Sequence, residues 1–187
     1  MSLNSKGEYM KVEMTPLEGA LLIKPQIWKD KRGYFIETWQ QKRYTEVGIN
    51  LSFVQDNHSC SIYRTLRGLH FQKTRPQGKL VSVSLGSIFD VIVDIRKCSA
   101  TFGRWFGIEL TQDNHWQLWI PPGFAHGFVV TSDVAHFHYK VTDFYHQEDE
   151  GSIRWNDPHL DISWPIANPI LSKKDAEAPF WTDFITF

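Results

Sequence analysis

The chain has 187 residues, with 20 Lys+Arg against 21 Asp+Glu, a net charge of −1, and 42% hydrophobic and 22% charged residues. This length suits one domain, and the composition excludes a mostly disordered chain. It also excludes a global basic field able to hold nucleic acid by counterion release, and no apolar run reaches the ~20 residues of a membrane helix.

Residues 1–187 are therefore expected to form a single domain of a cytoplasmic protein. Residues 1–9 are polar, lack the apolar core of a secretory leader, and read as a disordered or vector-derived leader before Met10. Cys60 and Cys98 form no C-x-x-C pair and imply no disulfide framework. Aromatic residues are 14% of the chain, which suits either a packed β core or a site that stacks planar rings.

In chain order, Asp30–Glu37 and Val54–Ser59 are polar-rich edges of early strands or solvated loops. Between them, Trp39–Val47 suits a short helix ended at Gly48. Short apolar runs then recur at Ser52–Gln55, Leu80–Leu85, Ile88–Ile95, Trp105–Leu110, Trp116–Ile120, Gly127–Val130 and Val134–Val141. Their lengths and β-branched or aromatic content predict strands, with turns at Leu85–Ser87 and Thr111–Asn114. Within Ile88–Arg96, Phe89, Val91, Val93 and Ile95 alternate with a face carrying Asp90, Asp94 and Arg96, a period of two. Ser172 is placed to cap a second short helix, and the Pro-rich tail from 165 to 187 is expected to pack on the domain. Many short strands with turn signals indicate a sandwich or barrel.

Three segments concentrate chemistry. Arg67, His70 and Lys79 fall within thirteen residues, in L-R-G-L-H-F-Q and Q-G-K-L-V. They suit a base with cations that hold an anion or enolate, although the residues alone favour slightly a surface cluster with one His hydrogen-bonded to backbone. P-P-G-F-A-H-G-F delivers His126 on a turn, with the P-x-G-x-x-H spacing of a metal-cupin motif. The region of His70 supplies only one His, so a three-His-plus-carboxylate site cannot be assembled from these motifs, and no metal is expected. The H-x-H of His136 and His138 follows the second motif rather than preceding it. Finally, a regular strand through Phe137–Tyr145 would put Tyr139, Asp143 and Tyr145 on one face, either in a site or at a wet rim.

Together these segments resemble the dTDP-4-dehydrorhamnose 3,5-epimerase family. The resemblance is carried in order by D-K-R-G-Y-F-I-E, F-V-Q-D-N-H-S, L-R-G-L-H-F-Q, Q-G-K-L-V, F-D-V-I-V-D-I-R, T-F-G-R-W, Q-L-W-I-P-P-G-F-A-H-G-F, Y-K-V-T-D-F-Y, W-N-D-P and L-S-K-K-D-A-E-A-P. It implies an all-β, cupin-like jelly-roll barrel with a few short helices and no cofactor. It also implies a homodimer with sites partly shared between subunits, and a dTDP-4-dehydro-6-deoxy sugar as substrate. A proton beside the C4 ketone leaves one face of the sugar and returns on the other, so a base and an acid must flank the ring.

The resemblance makes His70 the base, Tyr139 the acid, Asp175 the carboxylate that orients the base, and Lys79 the cation near the C4 oxygen. Arg67 and His126 would contact sugar and diphosphate, and Tyr145 would stack on thymine. Arg32 and Glu37 would reach the nucleotide from the partner subunit, with Gln55, Asp56, Asn57, Glu150 and Lys174 as further binding residues. Two departures bear on Lys79 and on substrate choice. The loop between Gln72 and Gln77 is about one residue short of the family pattern, and the Ile62–Thr65 stretch is bulkier than usual. Inversion at C3 alone or C5 alone, on a related keto sugar, is the alternative activity. A non-catalytic sugar-nucleotide-binding cupin is the alternative of a different class.

Overall fold

The computed structural model describes residues 9–181, so residues 1–8, most of the expected leader, and the last six residues of the expected tail lie outside the described residues. The described residues form two antiparallel sheets and one hairpin. The first sheet contains β1 (Met10–Met14), β2 (Leu21–Pro25), β5 (Gln55–Ile62), β7 (Lys79–Leu85), β10 (Gln117–Ile120) and β12 (Val134–Val141), in the order β1-β2-β10-β7-β12-β5. The second contains β6 (Leu66–Gln72), β8 (Ser87–Asp94), β9 (Trp105–Thr111), β11 (Phe124–Val130) and β13 (Glu150–Ser152), in the order β13-β6-β11-β8-β9. β3 (Ile27–Asp30) and β4 (Gly33–Ile36) pair only with each other. Two short helices, α1 (Gln41–Glu46) and α2 (Lys173–Ala176), complete the elements that matter here. This is the expected cupin-like jelly roll.

Alternation along the strands sorts side chains into three apolar layers. Val81, Val83, Ile92, Leu118, Phe128 and Phe137 meet between the two sheets. Outside the first sheet, Val12, Ile23, Leu80 and Trp119 pack against Tyr44 of α1 and the following Val47 and Ile49. Outside the second, Val91, Val93 and Ala125 pack against Ile153, Leu160 and Trp181 from the later chain. The strand β8 is thus buried on both faces, and its Asp90 and Asp94 are fully buried.

The strands that apolar runs do not reveal are informative. β5 begins where Ser52–Gln55 was expected to end and runs to Ile62. It alternates Gln55, Asn57, Ser59 and Ser61 on the less exposed face with Asp56, His58, Cys60 and Ile62 on the exposed one, so its polarity hides its period. The helix expected over Trp39–Val47 is shorter, starting after an N-cap at Gln40 whose side chain accepts from the Arg43 amide. α2 starts after Ser172 as expected.

One close approach fixes the centre of the second sheet. Gly68 on β6 lies against Gly127 on β11 so tightly that a Cβ on Gly68 would sit 2.5 Å from the Gly127 Cα and 2.8 Å from the His126 carbonyl oxygen. The β6–β11 register shifts here, pairing His126 with His70 on one side and Phe128 with Arg67 on the other. Gly68 also has φ +129. Its substitution by Ala adds overpacking to backbone strain and is expected to cost at least about 2 kcal/mol. Gly48→Ala has a similar positive φ and no neighbour within 4 Å, so it is expected to cost only about 1 kcal/mol. Urea denaturation of both variants checks the difference.

Candidate active site

Between the sheets, at the end where β6, β7, β11 and β12 converge, lies a cavity of about 350 Å³. Arg67, His70, Lys79, His126, Tyr139, Lys174 and Asp175 line it, together with Ser59, Phe128, Phe137 and Ser172. His70 enters from β6 in one sheet and Tyr139 from β12 in the other, so the two come from facing walls.

The His70 Nε2 lies 2.5 Å from Asp175 Oδ1, across 105 residues of sequence. An ionised carboxylate only accepts, so the proton sits on Nε2 and Nδ1 is the basic nitrogen. Asp175 is itself held on both sides. Ser172 caps α2 by accepting from the Asp175 amide, and its hydroxyl donates to Asp175 Oδ2 at 2.8 Å. Burial works to raise the Asp175 carboxyl, but the hydrogen bonds from His70 and Ser172 and the nearby Lys174 outweigh it, leaving it below the usual range. The segment before α2 is tied to the start of β6. The Leu66 amide donates to the Ile170 carbonyl at 2.9 Å and the Ile170 amide to the Arg64 carbonyl at 2.8 Å.

Lys79 opens β7 and lines the cavity, and burial pushes its ammonium down to about 8 against the opposing charges of Asp90 and Glu150. The short loop before it is firmly anchored on Asp149, which accepts from the Thr74 amide at 3.0 Å, the Thr74 hydroxyl at 2.7 Å and the Arg75 amide at 2.9 Å. Burial pushes the Tyr139 hydroxyl up, with Arg67 opposing, so Tyr139 carries its proton at neutral pH. His126 is buried and bonded through Nε2 to Asp90 Oδ1 at 2.8 Å. Burial lowers its affinity for a second proton, and Lys79 and His70 add to that against Asp90.

Other expected residues extend the site or lie apart from it. Glu150 pairs with Lys174 and accepts from the Tyr145 hydroxyl at 3.1 Å, which links Tyr145 to the cavity lining through Lys174. Tyr145 does not share a strand face with Tyr139, because β12 ends at Val141 where the Thr142 amide and hydroxyl turn to Gly78. Asn57 is opposite Tyr139 in register and accepts from the Gln55 side chain at 2.8 Å. Asp56 projects to the opposite face, paired with Lys140 at 2.8 Å along an outer groove. Arg32 lies at the exposed tip of the β3–β4 hairpin on Asp30, and Glu37 pairs with Arg43, so neither joins this cavity within one chain. His136 and His138 also face outward, beside His58.

Sequence reasoning missed Asp90, Ser59 and the bond from Ser172 to Asp175. An aspartate inside F-D-V-I-V was the available signal for Asp90. Asp90 Oδ2 and Ser59 Oγ are buried without a hydrogen-bond partner among the described residues.

Known proteins resemble this chain in sequence and in fold. The family model described as dTDP-4-dehydrorhamnose 3,5-epimerase matches residues 14–183. The dTDP-4-dehydrorhamnose 3,5-epimerase of Salmonella typhimurium is 50% identical over 173 residues, covering 91% of this chain and 94% of its own. That of Pseudomonas aeruginosa is 48% identical over 176 residues, covering 93% and 97%. The crystal structure of dTDP-6-deoxy-D-glucose-3,5-epimerase from Legionella pneumophila, in complex with dTDP-4-keto-L-rhamnose, is 51% identical with a TM-score of 0.90, covering 92% of this chain and 93% of that one.

Ser172→Ala removes the cap of α2 and the hydroxyl on Asp175, and is expected to cost about 1 kcal/mol of stability. Thermal denaturation beside the wild type measures that loss.

Proposed function

The chain belongs to the dTDP-4-dehydrorhamnose 3,5-epimerase family, and on that premise we propose how its cavity carries out the reaction. The enzyme converts dTDP-4-dehydro-6-deoxy-D-glucose to dTDP-4-dehydro-L-rhamnose in dTDP-L-rhamnose synthesis. The observation that carries the mechanism is the placement of His70 and Tyr139 on facing sheets of one cavity.

A sugar ring held between the sheets presents one face to His70 and the other to Tyr139. His70 Nδ1 takes the proton from the carbon beside the ketone, and the resulting imidazolium is stabilised by Asp175. As the C–H bond breaks, its electron pair becomes the enolate and charge moves to the C4 oxygen. Lys79 supplies a fixed cation there, whose buried setting strengthens the interaction. Tyr139 returns a proton to the opposite face, which inverts the centre. Once His70 has passed its proton to solvent and Tyr139 has regained one, the same cycle at the other carbon beside the ketone gives the second inversion. Arg67 and Lys174 suit the diphosphate despite the net charge of −1, because what matters is local charge. Tyr145, held by Glu150, is an exposed aromatic suited to stacking on thymine.

We also propose a homodimer in which the β3–β4 hairpin reaches the partner. Trp28, Tyr34 and Phe35 stand exposed on it beside Arg32, an apolar display that favours burial against another surface. Arg32 and Glu37 would then complete the nucleotide end of the partner's site. No helix among the described residues is long and apolar enough to cross a membrane, and a cytoplasmic setting accords with a nucleotide-sugar substrate.

Proton NMR of dTDP-4-dehydro-6-deoxyglucose in D₂O with catalytic enzyme tests the activity. Deuterium should enter at both C3 and C5, whereas uptake at one position alone would mark a mono-epimerase. His70→Ala should lower turnover by at least ~10²–10⁴-fold while dTDP still binds, and an active variant would refute the base assignment. In the wild type, kcat/KM should fall as pH rises through about 8, where Lys79 loses its proton and with it the stabilisation of the enolate.

A further inference from the structure

Asp90 has no place in the mechanism above, yet it is the carboxylate most tightly enclosed behind the cavity. It is fully buried on β8, in the middle of the second sheet. Only one of its oxygens is used, by His126 Nε2 at 2.8 Å, and Oδ2 has no hydrogen-bond partner among the described residues. A carboxylate half satisfied in this way needs positive charge nearby to persist in a low-dielectric interior. Lys79 has the complementary problem. It lines the cavity half-buried, with packing that disfavours its charged form, and makes no ion pair among the described residues.

We infer that Asp90 is a positioning residue whose buried charge keeps Lys79 protonated and fixes the tautomer of His126. The carboxylates whose charge favours the Lys79 ammonium are Asp90 and Glu150. Glu150 is already engaged by Lys174 and by the Tyr145 hydroxyl, and Asp175 by His70 and Ser172, which leaves Asp90 as the carboxylate with a free oxygen. The other charged or titratable groups facing the cavity are His70 and Arg67 from β6, His126 from β11, Tyr139 from β12 and Lys174 from α2. Arg67 and Lys174 carry positive charge and work against a further cation beside them. His126, donating its Nε2 proton to Asp90, keeps Nδ1 as an acceptor and adds no positive charge near Lys79 at neutral pH. One aspartate thus serves two cavity groups in different ways: it retains a proton on Lys79 and orients a neutral His126.

The inference rests on the epimerase reading for its kinetic consequence only. Asp90→Asn keeps the shape and removes the charge. It should move the alkaline limb of kcat/KM acidward by about one pH unit, and further than Glu150→Gln does. A limb left in place, or moved further by Glu150→Gln, overturns the inference, since a merely structural aspartate would lower activity without shifting the limb. A second arm needs no activity and serves if Asp90→Asn alone folds poorly. Lys79→Met strands the Asp90 charge, so adding Asp90→Asn to it should raise Tm by about 3 °C or more. A double variant no more stable than Lys79→Met overturns the inference. Failure of the epimerase reading would appear differently, as wild-type protein that exchanges no proton at C3 or C5 while the Tm coupling persists.

Discussion

The contact between Gly68 and Gly127 is the constraint on which the cavity depends. Two adjacent strands approach so closely that neither position has room for a side chain, and the ladder slips by one residue as it passes. The slip has a chemical consequence. It leaves His70 and His126 opposite one another in register while turning Arg67 into the same space. Any ordinary pair of side chains at those two glycines would push the strands apart and spread these three groups. The requirement explains why R-G-L-H and A-H-G-F each carry a glycine within two residues of a histidine.

The second organising fact is that the cavity concentrates unlike protonation demands in a small volume. Burial drives Lys79 toward losing its proton and Tyr139 toward keeping its own. Both are therefore protonated around neutrality, one as a cation and the other as a neutral acid. His70, backed by Asp175, is the basic group facing them. A shared environment that raises one group and lowers another is how a single fold separates acid from base. The cost is a set of buried charges that must be matched. The chain matches them with Asp175, Glu150 and Asp90, on three different elements.

How much of this was legible beforehand differs by residue. The long apolar strands from Leu80 to Val141 were readable because burial on at least one face writes a hydrophobic signal. β5 was not, since its inner face is Gln55, Asn57, Ser59 and Ser61, a polar lining where a core strand would be apolar. β6 was hidden for a related reason: its Arg and His occupy cavity positions. Of the strands that line the cavity, β5 and β6 look least like strand, whereas β7, β11 and β12 carry their cavity residues on legible apolar runs. His70, Lys79, Tyr139 and Asp175 were named from a family resemblance, and local pattern alone left the first two as a possible surface cluster. The expected strand face shared by Tyr139 and Tyr145 failed because Thr142 ends the ladder on Gly78. Asp90 went unassigned because a lone carboxylate in an apolar run gives no hint of its partner.

The tether between Ile170 and the start of β6 sets an order of events in synthesis. Every strand of both sheets is complete by Ser152, whereas the carboxylate behind His70 arrives only with α2. Domains fold as they emerge from the ribosome, at about 5–20 residues per second. A nascent chain can therefore close its β framework with His70 still lacking its carboxylate. The contact that gives the imidazole its orientation therefore forms only after the strands of both sheets have been made, so proton-transfer competence follows closure of the β framework as a separate step.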